Sequence, residues 1–189
     1  MDAIARFAAS RGAVVLVAVW AFGEAIVLPV VPDVALDLLA LAAPRRAVGL
    51  FLVATLASLA GSVALFAFAS AAPEAARSLV LAVPGVHAAM LDAASQTVAA
   101  GAPWSIAQLG PGTPLKVFTV AWAAGPGGIV PFLVGAILNR IARIGPTLVA
   151  AAAVGAIAPG WLRRHERLVI AGYGVAWVAF YGVYFVALG

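Results

Sequence analysis

Glu24 and Asp33 are the two side chains in the first long apolar stretch that can exchange a proton, and between them lie two prolines: Glu24-Ala-Ile-Val-Leu-Pro29-Val-Val-Pro32-Asp33. A carboxylate at membrane depth costs at least about 2.5 kcal/mol even on the lenient insertion scale, so it normally pairs or faces a water-filled cavity. Glu24 falls inside a helical run, where capping cannot explain it. Asp33 opens the next run, where a carboxylate can also act as an N-cap, and both roles stay open for it. Asp37, one turn further on, reads as interfacial. Three cations could answer these acids: Lys116, and Arg140 with Arg143, which lie three apart and near one helical face. They could neutralise the carboxylates, or bind a phosphate while the carboxylates handle protons. Burial and a neighbouring cation move a carboxylate's pKa in opposite directions, so such a cluster can couple protonation to a charged ligand. The bland alternative for the cations is snorkelling or a place at the membrane boundary.

The elements that must position these groups follow from the apolar runs. Residues 1–11 suit a short helix lying in the membrane interface, with Ile4, Phe7 and Ala8 on one face. Gly12 to Leu28 reaches only about 25 Å as a helix, short of a ~30 Å hydrocarbon core, before Pro29 and Pro32 break it. Asp33 to Ala43 adds about 16 Å and ends at Pro44-Arg45-Arg46. Two short arms around a double-proline turn predict a re-entrant hairpin over 12–43, which returns Arg45 and Arg46 to the side of Arg6 and Arg11. Residues 47–72 carry no charge and predict a full crossing, with Gly61, Ser58, Ser62 and Ser70 suited to close helix packing. Residues 73–100 are too polar to span and predict an external loop with some helix.

A second pair of short apolar arms, 103–125, surrounds the turn Gly110-Pro111-Gly112-Thr113-Pro114, with Lys116 beside it. Paired Gly/Pro-interrupted segments are the sequence sign of inverted repeats around a midplane site. Residues 129–157 predict a crossing that holds Arg140 and Arg143 at about mid-bilayer, unless the helix stops or kinks at Gly145-Pro146. Residues 168–188 predict a last crossing with an aromatic belt of Trp177, Tyr181, Tyr184 and Phe185. The expected fold is therefore an all-α integral membrane protein in one domain, with two opposed re-entrant hairpins plus about three transmembrane helices, inverted-repeat-like. Its N-terminus is expected on the cytoplasmic side and retained, and its C-terminus outside.

Composition sets the same bounds. Of 189 residues, 65% are hydrophobic and 10% charged, far below the roughly 25% charged of a soluble domain. The net charge of +4 does not point to nucleic acid, because the arginines cluster at the ends of apolar segments without interleaved aromatics. With no cysteine, thiol chemistry and thiolate metal sites are excluded. His87 and His165 fall in loops on opposite sides of this topology, which argues against a joint metal site. No nucleophile–base spacing of a hydrolase is present, so no enzyme activity, metal or cofactor is expected.

Three motifs occur in order. Phe22-Gly23-Glu24 leading to Pro29-x-x-Pro32-Asp33 is similar to an E-x4-P-x-P-x-[DE] first hairpin. Pro111-Gly112-Thr113-Pro114-Leu115-Lys116-Val117-Phe118, followed by Ala124-Gly125, looks like a second hairpin, and Asn139-Arg140 with Arg143 resembles a G-R-x-x-R helix segment. Together they resemble the DedA/VTT-domain (SNARE-associated-like) family of membrane proteins over roughly Gly12 to Arg167. The arginine pattern R-F-x-P-x-x-R of many members is absent. Gln108 and Pro114 stand at its spacing around Pro111, which leaves Lys116 as the substitute, and Asn139 replaces the glycine before Arg140. The resemblance implies a multi-pass protein of the bacterial inner membrane that moves lipids: a flippase or scramblase for an anionic phospholipid or a polyprenyl phosphate such as undecaprenyl phosphate, with proton coupling. Glu24 and Asp33 would correspond to the functional acids, and Lys116, Arg140 and Arg143 would hold the headgroup. Lipids and protons are then the expected partners, and a homo-oligomer is compatible with this reading. A non-transporting scaffold or assembly factor is the alternative, and a lipid-modifying enzyme a weaker one.

Overall fold

A computed structural model describes residues 1–99 and 113–188, and every regular element among them is helical. In chain order these are α1 (Asp2–Ala8), α2 (Arg11–Ile26), α3 (Asp33–Ala42), a 3-10 turn (Pro44–Arg46), α4 (Ala47–Ala71), α5 (Pro73–Leu81), α6 (Ala88–Ala99), α7 (Leu115–Ala124), α8 (Ile129–Ile157), α9 (Pro159–Arg164) and α10 (Glu166–Leu188). Among the described residues, α4, α8 and α10 are long and apolar enough to cross a membrane.

The distribution of polarity runs opposite to that of a water-soluble domain. Val48, Leu56, Val149 and Val178 are each more than 65% exposed, whereas Glu24, Lys116, Asn139 and Arg140 are no more than 5% exposed. Water would penalise that surface and leave buried charge unrewarded, while hydrocarbon favours both placements. This fits a membrane protein.

Local chemistry sets the breaks. Ser10 caps α2, its Oγ accepting from the Ala13 amide at 3.3 Å, and α1 meets α2 at 74°. α2 stops after Ile26 and α3 begins after Pro32, since neither Pro29 nor Pro32 can donate the amide hydrogen bond that a continuing helix requires. Pro146, in contrast, lies inside α8, which continues through it to Ile157. The boundary stop considered at Gly145-Pro146 does not occur.

Two glycines allow the closest helix approaches. A Cβ on Gly61 of α4 would stand 2.6 Å from the Phe22 carbonyl oxygen of α2, and one on Gly155 of α8 would collide with the Leu41 carbonyl and the Pro44 ring. α2 therefore packs on α4, and α3 on α8. α7 lies deepest, with all of Leu115 to Trp122 buried, as expected of a short helix that is apolar nearly all round.

Two apolar clusters result. One joins Ala13, Val17, Leu36, Ala40, Leu50 and Ala54 to Ile144 and Leu148. The other joins Leu65 and Ala69 to α5, α6 and α7, and to Phe132 and Ala136. Along α4 the switch from the first cluster to the second falls at Ser58 and Ser62; along α8 the reverse switch falls at Asn139 and Arg140. A polar layer separates the two cores.

The stretch expected as an external loop with some helix contains α5 and α6 among its described residues, 73–99. α5 and α6 bury Ala76, Val80, Leu91, Ala94 and Val98 against α7. Its charges had argued against a span, but an amphipathic pair needs only one apolar face. For the segment expected as a second hairpin, Gln108, Gly110, Pro111 and Gly112 lie outside the described residues, and Pro114 is the residue that precedes and caps α7.

Candidate functional site

The polar layer is built from residues on four helices. Glu24 sits on the last turns of α2, Ser58 at the middle of α4, Arg140 at the middle of α8 and Lys116 in the first turn of α7. Arg140 Nη2 donates to Glu24 Oε2 at 2.5 Å and to Ser58 Oγ at 2.5 Å. All three side chains are at least 95% buried. In a low-dielectric interior neither charge is tolerable alone, so each is the condition for the other's burial. Arg140 Nε has no hydrogen-bond partner, nor have the hydroxyls of Thr55 and Ser62 on the same helix as Ser58. The layer thus keeps unspent donors beside the pair.

Lys116 does not bond a carboxylate. Its Nζ donates to the Leu28 carbonyl oxygen at 2.7 Å, in the broken segment between α2 and α3. That segment is held from several directions. Trp20 Nε1 donates to the Val30 carbonyl at 2.9 Å and the Val31 amide donates to the Tyr181 hydroxyl at 2.8 Å, while at the start of α3 the Tyr173 hydroxyl donates to the Val34 carbonyl at 3.0 Å. Breaking the helix at Pro29 and Pro32 frees backbone groups that hydrocarbon cannot satisfy. Side chains from α2, α7 and α10 satisfy them instead.

The acids of α3 stand apart from this pairing. Asp33 is half-buried and is the first residue of α3; Pro32 holds the N-cap position and no side-chain cap bond forms. The capping role weighed for Asp33 is therefore not the one it plays. Its Oδ1 is buried without a hydrogen-bond partner. Asp37, expected near the membrane interface, is 8% exposed and packs against α8, with Thr147 beside its carboxylate and its Oδ1 unpartnered. One helical turn separates the two acids, so both follow the face that α3 turns toward α8. Arg143 was expected to share a face with Arg140, yet Arg140 is buried and Arg143 exposed. Three residues turn a helix by about 300°, which leaves the two side chains about 60° apart, enough to put one inside and one out.

Ser58, Tyr181 and Asp37 are site residues that sequence reasoning gave other roles, and Trp20 and Tyr173 are ones it did not single out. Ser58 read as a packing residue and Tyr181 as part of an aromatic belt. A signal existed for the tyrosines: Tyr173, Trp177, Tyr181 and Tyr184-Phe185 recur at helical spacing, and they form the half-buried stripe of a helix whose Val175, Val178 and Val183 are more than 65% exposed. Rings on that stripe stack, with Trp177 and Tyr181 centroids 5.7 Å apart. Among the described residues no group of acids and histidines could hold a metal ion. Compared with protein-family models, curated proteins and solved structures, the chain has no match.

Proposed function

We propose that this protein is a membrane lipid transporter of flippase type that moves an anionic lipid with proton coupling. The observation that carries the reading is the buried Glu24–Arg140–Ser58 cluster, which spans three helices in the layer between two apolar cores. A purely structural layer at that depth would be expected to close its hydrogen bonds; this one leaves Arg140 Nε and the hydroxyls of Thr55 and Ser62 unspent, with one carboxylate oxygen each of Asp33 and Asp37, Oδ1, also unpartnered. Glu24 and Asp33 act as the proton-exchanging groups, joined by Asp37, and Arg140, Lys116 and Arg143 supply the positive field for a phosphate. In this reading α2 and α3 form a re-entrant hairpin, residues 103–125 form its opposed counterpart, and the DedA/VTT-like motifs mark both. An arginine beside a carboxylate is suited to exchange that partner for a phosphate oxygen, because both accept charge-assisted hydrogen bonds of similar geometry.

The test is translocation of a fluorescent anionic lipid in liposomes containing the purified protein, with a zwitterionic lipid as comparison. Glu24→Gln and Lys116→Ala, each shown to be folded and inserted, are expected to lower the anionic rate at least tenfold. Full transport by both variants would sink the proposal.

A scaffold without transport is favoured by one observation: Arg140 and Lys116 already have structural partners in Glu24, Ser58 and the Leu28 carbonyl. Exchanging the pair as Glu24→Arg with Arg140→Glu separates the readings. Wild-type protein that never translocates lipid, with stability restored in the exchanged variant, selects the scaffold.

A further inference from the structure

The fold gathers three arginine clusters that are far apart in sequence. Gly155 of α8 touches Pro44, next to Arg45 and Arg46; Arg163 of α9 reaches Asp2 of α1 at 4.0 Å; and Glu166 pairs with the amino group of Met1. Arg6 and Arg11 follow on α1 and α2. Most of the 11 lysines and arginines thus collect at one end of the molecule, where Asp2 and Glu166 are the acids, and both of those are engaged.

Within this end the turn between α9 and α10 forms a concave polar feature. α9 stops at Arg164, His165 turns the chain, and α10 starts at Glu166. The turn brings Arg163 and Arg164 from one helix and Arg167 from the next around a pocket of about 290 Å³, which His165, Glu166 and Leu168 complete. The hollow is open to the surface and has room for a headgroup. Exposed apolar side chains stand on α9 and α10 and at the end of α8. Ile157 is 84% exposed, Leu168 71% and Trp161 57%, and Trp161 packs on His165 with ring centroids 4.8 Å apart. Guanidinium groups around a hollow with exposed apolar side chains on its flanks provide for a phosphate and for acyl chains together.

We propose that the α9–α10 corner is a binding site for the phosphodiester headgroup of an anionic phospholipid, held by Arg163, Arg164 and Arg167 with its chains against Ile157, Trp161 and Leu168. The site is separate from the Glu24–Arg140 layer and does not depend on transport. A free phosphate shares the headgroup chemistry but would leave the apolar flank unused. Basic pockets at the ends of spanning helices hold anionic lipids by this combination of charge and adjoining hydrocarbon.

Native mass spectrometry of the full-length protein released from detergent tests it, with phosphatidylglycerol, phosphatidylcholine and inorganic phosphate as the probes. Wild type is expected to retain phosphatidylglycerol at least tenfold more tightly than phosphatidylcholine, and inorganic phosphate at the lipid's concentration is expected not to displace it. The triple variant Arg163→Gln, Arg164→Gln, Arg167→Gln should retain fewer phosphatidylglycerol molecules per protein than wild type, while Arg45→Gln with Arg46→Gln, at the same end but outside the pocket, should retain as many; any lipid held at the Glu24–Arg140 layer contributes equally to all three. Thermal unfolding establishes that each variant is folded; if the triple variant is not, Arg167→Gln alone carries the test with at least a threefold weakening. An unchanged number of bound phosphatidylglycerol molecules in the arginine variants, equal loss in the Arg45/Arg46 variant, or displacement by inorganic phosphate would each overturn the proposal.

Discussion

Arg140 and Glu24 form a pair whose members depend on each other for burial, and that dependence has a measurable sign. Removing one partner from a buried pair typically costs about 3–5 kcal/mol, because the other charge is stranded, whereas replacing both with apolar groups is often close to neutral. Arg140→Met is therefore expected to lower thermal stability in detergent sharply, and Glu24→Leu with Arg140→Met to recover most of the loss. Ser58→Ala should cost less, on the order of 1–2 kcal/mol, since it removes one acceptor of a charged donor. A double variant no more stable than Arg140→Met would show that the pair is not the unit. The sequence showed that acids and cations were both present, and could not match them: Glu24 and Arg140 are 116 positions apart, and Lys116 proved to serve a backbone carbonyl instead.

At the level of elements, helix contact depends on a few small residues and on a broken segment that several side chains hold. Gly61 and Gly49 lie on the same helix, yet a Cβ at Gly61 meets the Phe22 carbonyl and Ala25, while one at Gly49 meets nothing within 4 Å. Gly61→Ala should thus lower stability by roughly 1–3 kcal/mol through forced separation of α2 and α4, and Gly49→Ala should leave it unchanged or raise it slightly. Equal effects in thermal unfolding would refute the close approach as the cause. Tyr181→Phe with Tyr173→Phe removes two bonds to the α2–α3 segment, each worth roughly 0.5–1.5 kcal/mol. Faster hydrogen exchange at Val31 is the expected result, with α4 unaffected. The long helices α4, α8 and α10 were legible because an apolar run of that length has few other solutions. Some helix over 73–100 was expected as well, but the burial of α5 and α6 was not legible, since it depends on α7, a partner that local periodicity does not reveal.

Across the whole molecule the arginine clusters are the most direct report on membrane placement. Arg6, Arg45 and Arg167 belong to three separate segments that meet at one end through the α1, α3, α8 and α9 contacts. In this cysteine-free chain, Arg6→Cys, Arg45→Cys and Arg167→Cys should be labelled by a membrane-impermeant thiol reagent from the same side of intact vesicles. Labelling of Arg6→Cys and Arg45→Cys from opposite sides would rule out a hairpin formed by α2 and α3. Composition and apolar run length by themselves determined that the chain is helical, where its three longest helices run, and where prolines interrupt it, because those properties follow from local backbone chemistry and from how much apolar length a helix presents. Tertiary structure alone decided that Arg140 takes Glu24, that Lys116 holds Leu28, that Asp37 is buried and that Arg143 is not. Such choices depend on which helix faces meet, and the faces meet where Gly61 and Gly155 let backbones approach, a distance effect that no linear pattern of charge records.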